Sequence, residues 1–286
     1  MDRTAEIRKV LIVTLALNVL VSATKIVFGY LTYSVAITSD GFHSLFDGVS
    51  NIAGLVGIYI ASNPPDESHP YGHRKYETVF TIFVGVLMFI TCIEILKDVY
   101  ASLRGGHEAS VTGASFIIML ATLGINIFVT TYEKRVGQRL NSEFLVADAQ
   151  HTMSDIMVTT GVIAGLVLIK LGVPFADPVI GVLVGLFVAR AGLQIIREST
   201  EALVDRTMVD TVVIHEVACS IEGVVECHGI RTRGTKGCVF VDLHMLVSPD
   251  ISVAAAHKIA DRVEESIKAR LPEVQDVVVH IEPSDK

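Results

Sequence analysis

The sequence predicts a polytopic α-helical membrane protein with six transmembrane helices, followed by a small cytoplasmic α/β domain. Hydrophobic residues make up 51% of the 286-residue chain. The mean hydropathy of +0.54 is too high for an ordinary soluble domain. Charged residues nevertheless account for 19% of the chain and are unevenly placed along it. We therefore expect a membrane domain over residues 1–204 and a polar domain over residues 205–286.

Six apolar segments are each long enough to cross a hydrocarbon core, which needs about 20 helical residues. The first is interpreted as a retained span and not as a signal peptide, because acidic residues flank it and no clear small-residue cleavage site follows. The predicted spans lie near residues 10–30, 34–60, 78–98, 110–132, 144–170 and 175–197.

Positive charge in the connections predicts the orientation of the spans. The regions on the side of the amino terminus carry ten Lys and Arg residues, whereas the opposite connections carry only Lys97, Arg104 and Lys170. Because Lys and Arg concentrate in cytoplasmic loops, both termini are expected to be cytoplasmic. The compact size and the lack of a targeting segment suggest the inner (cell) membrane of a prokaryote.

From residue 205 onward the pattern is that of a soluble α/β domain. In its second strand Val241 and Leu243 alternate with Asp242 and His244, which is the period of two typical of a strand. The order of elements, αββαβ, is that of ferredoxin-like, metallochaperone-like domains. The predicted helices span 209–221 and 252–270, and the predicted strands span 223–233, 237–247 and 273–282.

The polar domain is acidic, with fourteen Asp and Glu against nine Lys and Arg. It has no basic stripe, so nucleic acid is not expected as a partner. A domain of this size has a small core, and dimerisation would help to stabilise it.

Two triplets of the form Asp-x-x-His-x-x-x-Asp lie inside apolar runs, one in the second span and one in the fifth. On a helix these positions share one face. A charged side chain at the centre of a bilayer costs about 2.5–3.5 kcal/mol, so two matched triplets indicate function. The alternative is that they only hydrogen-bond neighbouring helices. The members are Asp40, His43, Asp47, Asp148, His151 and Asp155.

Two imidazoles and two carboxylates from these triplets form a tetrahedral ligand set suited to Zn²⁺. The absence of a thiolate disfavours Cu(I), and the imidazoles disfavour Mg²⁺ and Ca²⁺. Asp40 and Asp148, one turn away, are expected to orient the ligands or to lead ions to them. Because protons compete with metal for the ligands, we predict metal/proton exchange. The predicted ligands are His43, Asp47, His151 and Asp155.

Six spans, His-x-x-x-Asp on the second and fifth of them, and a small α/β tail together resemble the cation diffusion facilitator family of divalent-metal efflux transporters, in particular its bacterial zinc/iron type. The resemblance covers nearly the whole chain. It implies a homodimer that exports Zn²⁺ from the cytoplasm in exchange for protons by alternating access. Family members with Asp or Asn in place of the histidines tend towards Mn²⁺ or Fe²⁺ or accept Cd²⁺. Fe²⁺, Mn²⁺, Co²⁺ and Cd²⁺ are thus alternative main substrates.

The resemblance implies two further metal sites and a charge pair. In the second connection it places a loop site of Asp66, His69 and His73; the alternative is a polar loop whose histidines pack the dimer. Lys75 and Asp205 are the implied charge pair at a hinge. In the tail it places a zinc cluster at the dimer interface, where the family often has Asp in the last position. The members of that cluster are His228, His244, His257, His280 and Glu282.

Three other functions fit the sequence less well than transport. An enzyme is not expected, because no Glu is placed as in H-E-x-x-H and no nucleophile elbow occurs. A membrane-anchored metal sensor would not need six spans. A channel is disfavoured because a tight four-ligand site slows release of the ion. Cys227, beside His228, could add a thiolate ligand, but an ordinary buried cysteine is the favoured interpretation.

Overall fold

The computed structural model describes residues 3–31, 35–104, 113–170 and 176–284. Within these ranges it describes the side chains except those at 28–29, 31, 35–47, 98, 101–103, 113–116, 118–119, 158, 162, 165–170 and 176–178. The chain divides into two compact units, Met1–Ser199 and Thr200–Lys286.

Each of the six predicted spans coincides with one long α-helix, which confirms this part of the fold prediction. Among the described residues, three stretches are long and apolar enough to cross a membrane: Arg3–Val27, Lys75–Lys97 and Val179–Leu203. Several helices extend past the predicted spans, because charged residues continue the helix beyond its apolar part. The six helices are α1 (Arg3–Leu31), α2 (Val35–Ala61), α3 (Lys75–Leu103), α4 (Gly113–Arg139), α5 (Glu143–Lys170) and α6 (Ala176–Leu203).

Helices α2 and α5 approach each other closely in the first unit. A Cβ added at Gly54 would overlap the ring of Phe144, which is fully buried. Small residues at a contact allow two helix backbones to come together in this way. The two helices that carry the predicted triplets are therefore neighbours.

One end of the first unit is tied together by a buried carboxylate. Glu77, at the start of α3, is 4% exposed. It accepts hydrogen bonds from Arg3 Nη2 at 2.9 Å and from the Ser142 hydroxyl. Arg3 also donates to the backbone oxygen of Leu140 at 2.8 Å. The start of α1, the start of α3 and the α4–α5 connection thus lie at the same end, as alternating spans require.

The second unit has the predicted αββαβ order. Its elements are α7 (Thr211–Cys219), β1 (Glu226–Thr235), β2 (Cys238–Val247), α8 (Val253–Arg270) and β3 (Val274–Pro283). The sheet order is β1-β2-β3; β1 pairs antiparallel with β2, and β2 pairs parallel with β3. As predicted, Ser252 caps α8, accepting a hydrogen bond from Ala255 N at 3.2 Å.

The two faces of the sheet differ in polarity. Val239, Val241, Leu243 and Met245 are buried in the core cluster that also contains residues of α7 and α8. His244 and its alternating neighbours are half-buried and belong to the opposite face. The predicted alternation of buried and exposed residues in this strand is confirmed. The alternation places polar side chains together on the face away from the core.

Candidate metal centres

The predicted transport ligands lie on α2 and α5. His151 is 5% exposed, and Asp155, one turn further along α5, is half-buried. The side chains of Asp40, His43 and Asp47 lie outside the described residues, so only their place in α2 is known. The four-ligand site therefore stays a prediction.

Asp148 anchors a hydrogen-bonded network one turn before His151. The carboxylate is 2% exposed, and its Oδ2 accepts a hydrogen bond from Asn51 Nδ2 at 2.7 Å. The same amide nitrogen lies 3.3 Å from Thr14 Oγ1, to which it donates. Asn18 Nδ2 donates to Asn51 Oδ1 at 2.9 Å. Side chains of α1, α2 and α5 are thus joined in the interior of the unit.

Glu133 of α4 belongs to the same buried region, and sequence reasoning missed it. Its side chain is fully buried at 0% exposure. Within the described ranges, neither carboxyl oxygen has a hydrogen-bond partner of normal geometry. Asp148 acts on it electrostatically, and the Thr14 hydroxyl lies close enough to interact with it. It shares a helix face with buried Val129 and Gly137, but the sequence alone gives no sign that this face is buried.

The structure brings together all three residues of the predicted loop site. The carboxylate of Asp66 lies 3.3 Å from His69 Nδ1 and 3.4 Å from His73 Nε2. One potential ligand atom from each residue lies within 4.8 Å of the others. The His73 ring is buried and stacks on Tyr76, with ring centroids 5.9 Å apart. Two imidazoles and a carboxylate in this arrangement can hold a divalent cation.

A tight turn shapes the loop site. Asp66 Oδ1 accepts hydrogen bonds from the backbone N–H groups of Ser68 at 2.9 Å and His69 at 2.6 Å. The His69 N–H bond is the main cause that lowers the pKa of Asp66 below its ordinary value of 3.8. The carboxylate therefore stays ionised, which is the form that binds metal.

Three strands contribute to the cluster in the second unit. Strand register places His228 opposite His244, and His244 opposite His280. Glu282 Oε1 lies 2.7 Å from His244 Nδ1 and 3.6 Å from His280 Nε2, and Glu282 Oε2 lies 3.4 Å from His228 Nε2. Ligand atoms of His228, His244 and Glu282 lie within 4.8 Å of one another. The longer glutamate arm therefore does reach the histidines.

Comparison with known proteins identifies the family. The family model "Cation efflux transmembrane domain" matches residues 11–204, and "Cation efflux protein, cytoplasmic domain" matches residues 208–284. The chain belongs to the cation efflux family. This cation diffusion facilitator is therefore a membrane protein that exports metal cations.

Two of the similar proteins match this cation efflux protein over nearly its full length, and a solved structure matches part of it. An uncharacterized transporter of Methanocaldococcus jannaschii is 33% identical, with 98% of this chain and 99% of that protein covered. The manganese efflux system protein MneS of Bacillus subtilis is 28% identical, with coverage of 96% and 95%. A solved structure of a single-residue variant of MamM-CTD is 23% identical and covers 26% of this chain and 94% of that one, with a TM-score of 0.26.

Three other predicted residues of this cation efflux protein are not members of the two ligand clusters found among the described residues. His257 lies on α8, is 73% exposed and is 3.7 Å from Asp261. Lys75 begins α3 and Asp205 follows α6 with a φ of 60°; their pairing stays a prediction.

Cys227 behaves as the buried cysteine that the sequence favoured. It pairs with Met245 in the sheet and belongs to the core, away from the histidine face. Burial raises the pKa of its thiol to about 11, with a smaller contribution from Cys219. The thiol therefore stays protonated and is a poor metal ligand.

Proposed function

We propose that this protein exports Zn²⁺ from the cytoplasm in exchange for protons, by alternating access and as a homodimer. The membrane is the inner (cell) membrane of a prokaryote, with both termini cytoplasmic. His43, Asp47, His151 and Asp155 bind the transported ion. The loop and carboxyl-terminal sites bind further Zn²⁺ ions that stabilise or regulate the dimer.

The observation that carries the proposal is the burial of His151, with Asp155 one turn away, on a helix that packs against the helix of His43 and Asp47. A buried imidazole among apolar helices is costly unless it has a function. Mixed nitrogen and oxygen ligands suit Zn²⁺. The same pairing of imidazole with carboxylate recurs in the loop site and in the carboxyl-terminal cluster.

Exchange for protons follows from the chemistry of these ligands. A metal ion binds neutral imidazole and ionised carboxylate, so each binding event displaces protons that the free site had taken up. An inward proton gradient then favours release of metal on the outer side.

Transport of ⁶⁵Zn²⁺ into proteoliposomes with an imposed pH gradient tests the proposal. The wild type should accumulate Zn²⁺, and Asp47→Ala and Asp155→Ala should not. Ser154→Ala is the matched control, because Ser154 is buried on the same turn and bonds only to the backbone oxygen of Gln150 among the contacts described. Undiminished flux in both aspartate variants would show that the triplets are structural. Flux that ignores the pH gradient would exclude proton exchange.

Mn²⁺ is the second candidate substrate, because one similar protein is a manganese efflux system protein. The two predicted histidine ligands favour Zn²⁺ over Mn²⁺. A competition experiment decides between them. If excess Mn²⁺ inhibits ⁶⁵Zn²⁺ uptake more strongly than the same excess of unlabelled Zn²⁺, the proposed mechanism stands but the main substrate is Mn²⁺.

A further inference from the structure

We propose that Glu133 carries one of the protons that this transporter exchanges for metal, with Asp148 as its partner carboxylate. The inference rests on the proposed function and assigns that proton to a residue outside the predicted metal site. Glu133 lies on α4, which carries none of the predicted transport ligands.

The surroundings of Glu133 do not favour two negative charges. Glu133 and Asp148 are 0% and 2% exposed and interact electrostatically. The side chains of the hydrogen-bonded network beside them, Thr14, Asn18 and Asn51, are neutral. Two ionised carboxylates in such a region repel each other and lack solvation, so the pair is stable with one shared proton.

Several charged groups of α1 and α4 are paired, distant or exposed, and on α5 the titratable group one turn from Asp148 is His151. On α1, Glu6 is paired with Arg139 of α4 at 2.7 Å. Lys25, the buried cation of α1, lies eleven residues beyond Thr14, which is about 16 Å along a helix. On α4 itself, Lys134 is exposed. The neighbouring Arg135 is exposed as well, so both cations are solvated.

Hydrogen bonding assigns the proton to Glu133 and the negative charge to Asp148. Asn51 donates to Asp148 at 2.7 Å, and a donated hydrogen bond stabilises the ionised form. Glu133 accepts no hydrogen bond of normal geometry from the described residues. The Thr14 hydroxyl beside it donates to the backbone oxygen of Leu11 at 3.3 Å and accepts from Asn51, so it can stabilise ionised Glu133 only by giving up the bond to Leu11.

Metal binding is coupled to this proton through α5. Asp148 precedes His151 by three residues, so the pair lies one helical turn from a predicted metal ligand. A divalent cation bound there favours ionisation of both carboxyls. The Glu133 O–H bond then breaks, its electron pair stays on the carboxylate oxygen, and the proton passes to water. After metal release, water returns a proton to Glu133 and restores the shared-proton state.

The test compares two modes of transport in proteoliposomes containing the full-length protein. Glu133→Gln should keep the exchange of internal Zn²⁺ for external ⁶⁵Zn²⁺ without a pH gradient, because the ligands are intact. A pH gradient should accelerate ⁶⁵Zn²⁺ uptake by the wild type but not by Glu133→Gln. Glu133→Asp, which retains a carboxyl group, should restore the acceleration. Glu94→Gln is the matched control, since it removes an exposed acid from α3, and it should behave like the wild type.

Three results would overturn the inference. Wild-type acceleration in Glu133→Gln would mean that the residue carries no exchanged proton, while the proposed function would stand. Loss of Zn²⁺/Zn²⁺ exchange in a folded Glu133→Gln protein would make Glu133 part of metal binding instead. If the wild type exchanges Zn²⁺ but a pH gradient does not accelerate its ⁶⁵Zn²⁺ uptake, proton coupling itself is refuted, and with it both proposals.

A measurement on the wild type keeps the inference testable even when Glu133→Gln fails to fold. Infrared difference spectra should show the carbonyl stretch of a protonated carboxylic acid disappearing when Zn²⁺ binds. A spectrum in which no protonated carboxyl is lost would overturn the inference.

Discussion

If the carboxyl-terminal cluster binds Zn²⁺ as proposed, replacing Glu282 with alanine should remove most of the stabilisation that the ion gives to this unit. Glu282 is the acidic member of the cluster and contacts His228, His244 and His280 at 2.7–3.6 Å. Removing even a partner of a metal ligand lowers affinity about 10–100-fold. Glu282 is itself a predicted ligand, so we take a loss of about 100-fold, equivalent to about 2.8 kcal/mol.

The expected change in melting temperature follows from this loss. At a Zn²⁺ concentration of about 100 times the wild-type Kd, binding stabilises the wild type by about 2.7 kcal/mol and the variant by about 0.4 kcal/mol. In a domain of about 60–100 residues, 1 kcal/mol shifts the Tm by about 4–8 °C. Zn²⁺ should therefore raise the Tm of the wild-type unit by about 10–20 °C and that of Glu282→Ala by only about 2–3 °C.

Calorimetry of the full-length protein in detergent, with and without Zn²⁺, measures both shifts. His215→Ala is the matched control, because this histidine is exposed on α7 and contacts Cys219 at 3.7 Å. The Zn²⁺-induced rise in Tm of this control should equal that of the wild type. Glu282→Asp, which retains a carboxylate, should keep most of the rise. A Zn²⁺-induced shift in Glu282→Ala equal to that of the wild type would refute the assignment of Glu282 as a ligand.

Three further predictions concern local chemistry. Lowering the pH from about 7 to 5 should release metal from the loop site, as followed by equilibrium dialysis, because protons compete with the metal for the imidazole nitrogens. Asp66, whose pKa is lowered, stays ionised between pH 7 and 5, so its contribution to metal binding does not change there. That contribution is lost only at lower pH, where the carboxylate takes up a proton. Iodoacetamide at about pH 8 should modify exposed Cys219 and spare Cys227, as mass spectrometry will show. Gly234→Ala should destabilise the second unit by about 2 kcal/mol or more in urea denaturation, because its φ is 128° and a Cβ would overlap the Cys238 carbonyl oxygen.

Each of these predictions can fail clearly. Metal retained by the loop at pH 5 would place its binding on groups other than the two histidines. Alkylation of Cys227 as fast as Cys219 would contradict its burial. An unchanged urea midpoint in Gly234→Ala would show that the β1–β2 hairpin relaxes at no cost.

The helices and strands could be predicted because their signals are local. Apolar runs of membrane length predicted all six long helices, and alternation along residues 239–246 predicted which face of β2 is buried. Ends were less accurate: the first strand begins at Glu226 and not at 223, because residues 220–223 form a turn in which Gly223 has a φ of 102°.

The carboxyl-terminal cluster required more than local pattern. His228, His244 and Glu282 are distant in sequence and meet only because β2 pairs with both β1 and β3 in a particular register. Such a register depends on tertiary packing. The family resemblance supplied these residues, whereas the spacing in the sequence did not.

Glu133 shows what a hydropathy pattern does not reveal. It is followed by Lys134 and Arg135 at the end of an apolar run, where a charged residue normally marks the boundary of a span. Its burial depends on contacts of α4 with α5, the next helix, and with α1, which is distant in the chain. A side chain of this kind becomes recognisable only once the helices are packed.

The sheet register has a consequence for how bound metal can act on the carboxyl-terminal unit. His228, His244 and Glu282 belong to three different strands, so a single ion would fasten both edge strands to the central one. An ion held in this way limits the opening of β1 and β3 without moving them. Amide hydrogens of these two strands should then exchange with deuterium more slowly when metal is bound, while those of α8 change little. Metal would act on this unit through reduced fluctuation of its strands, with little displacement.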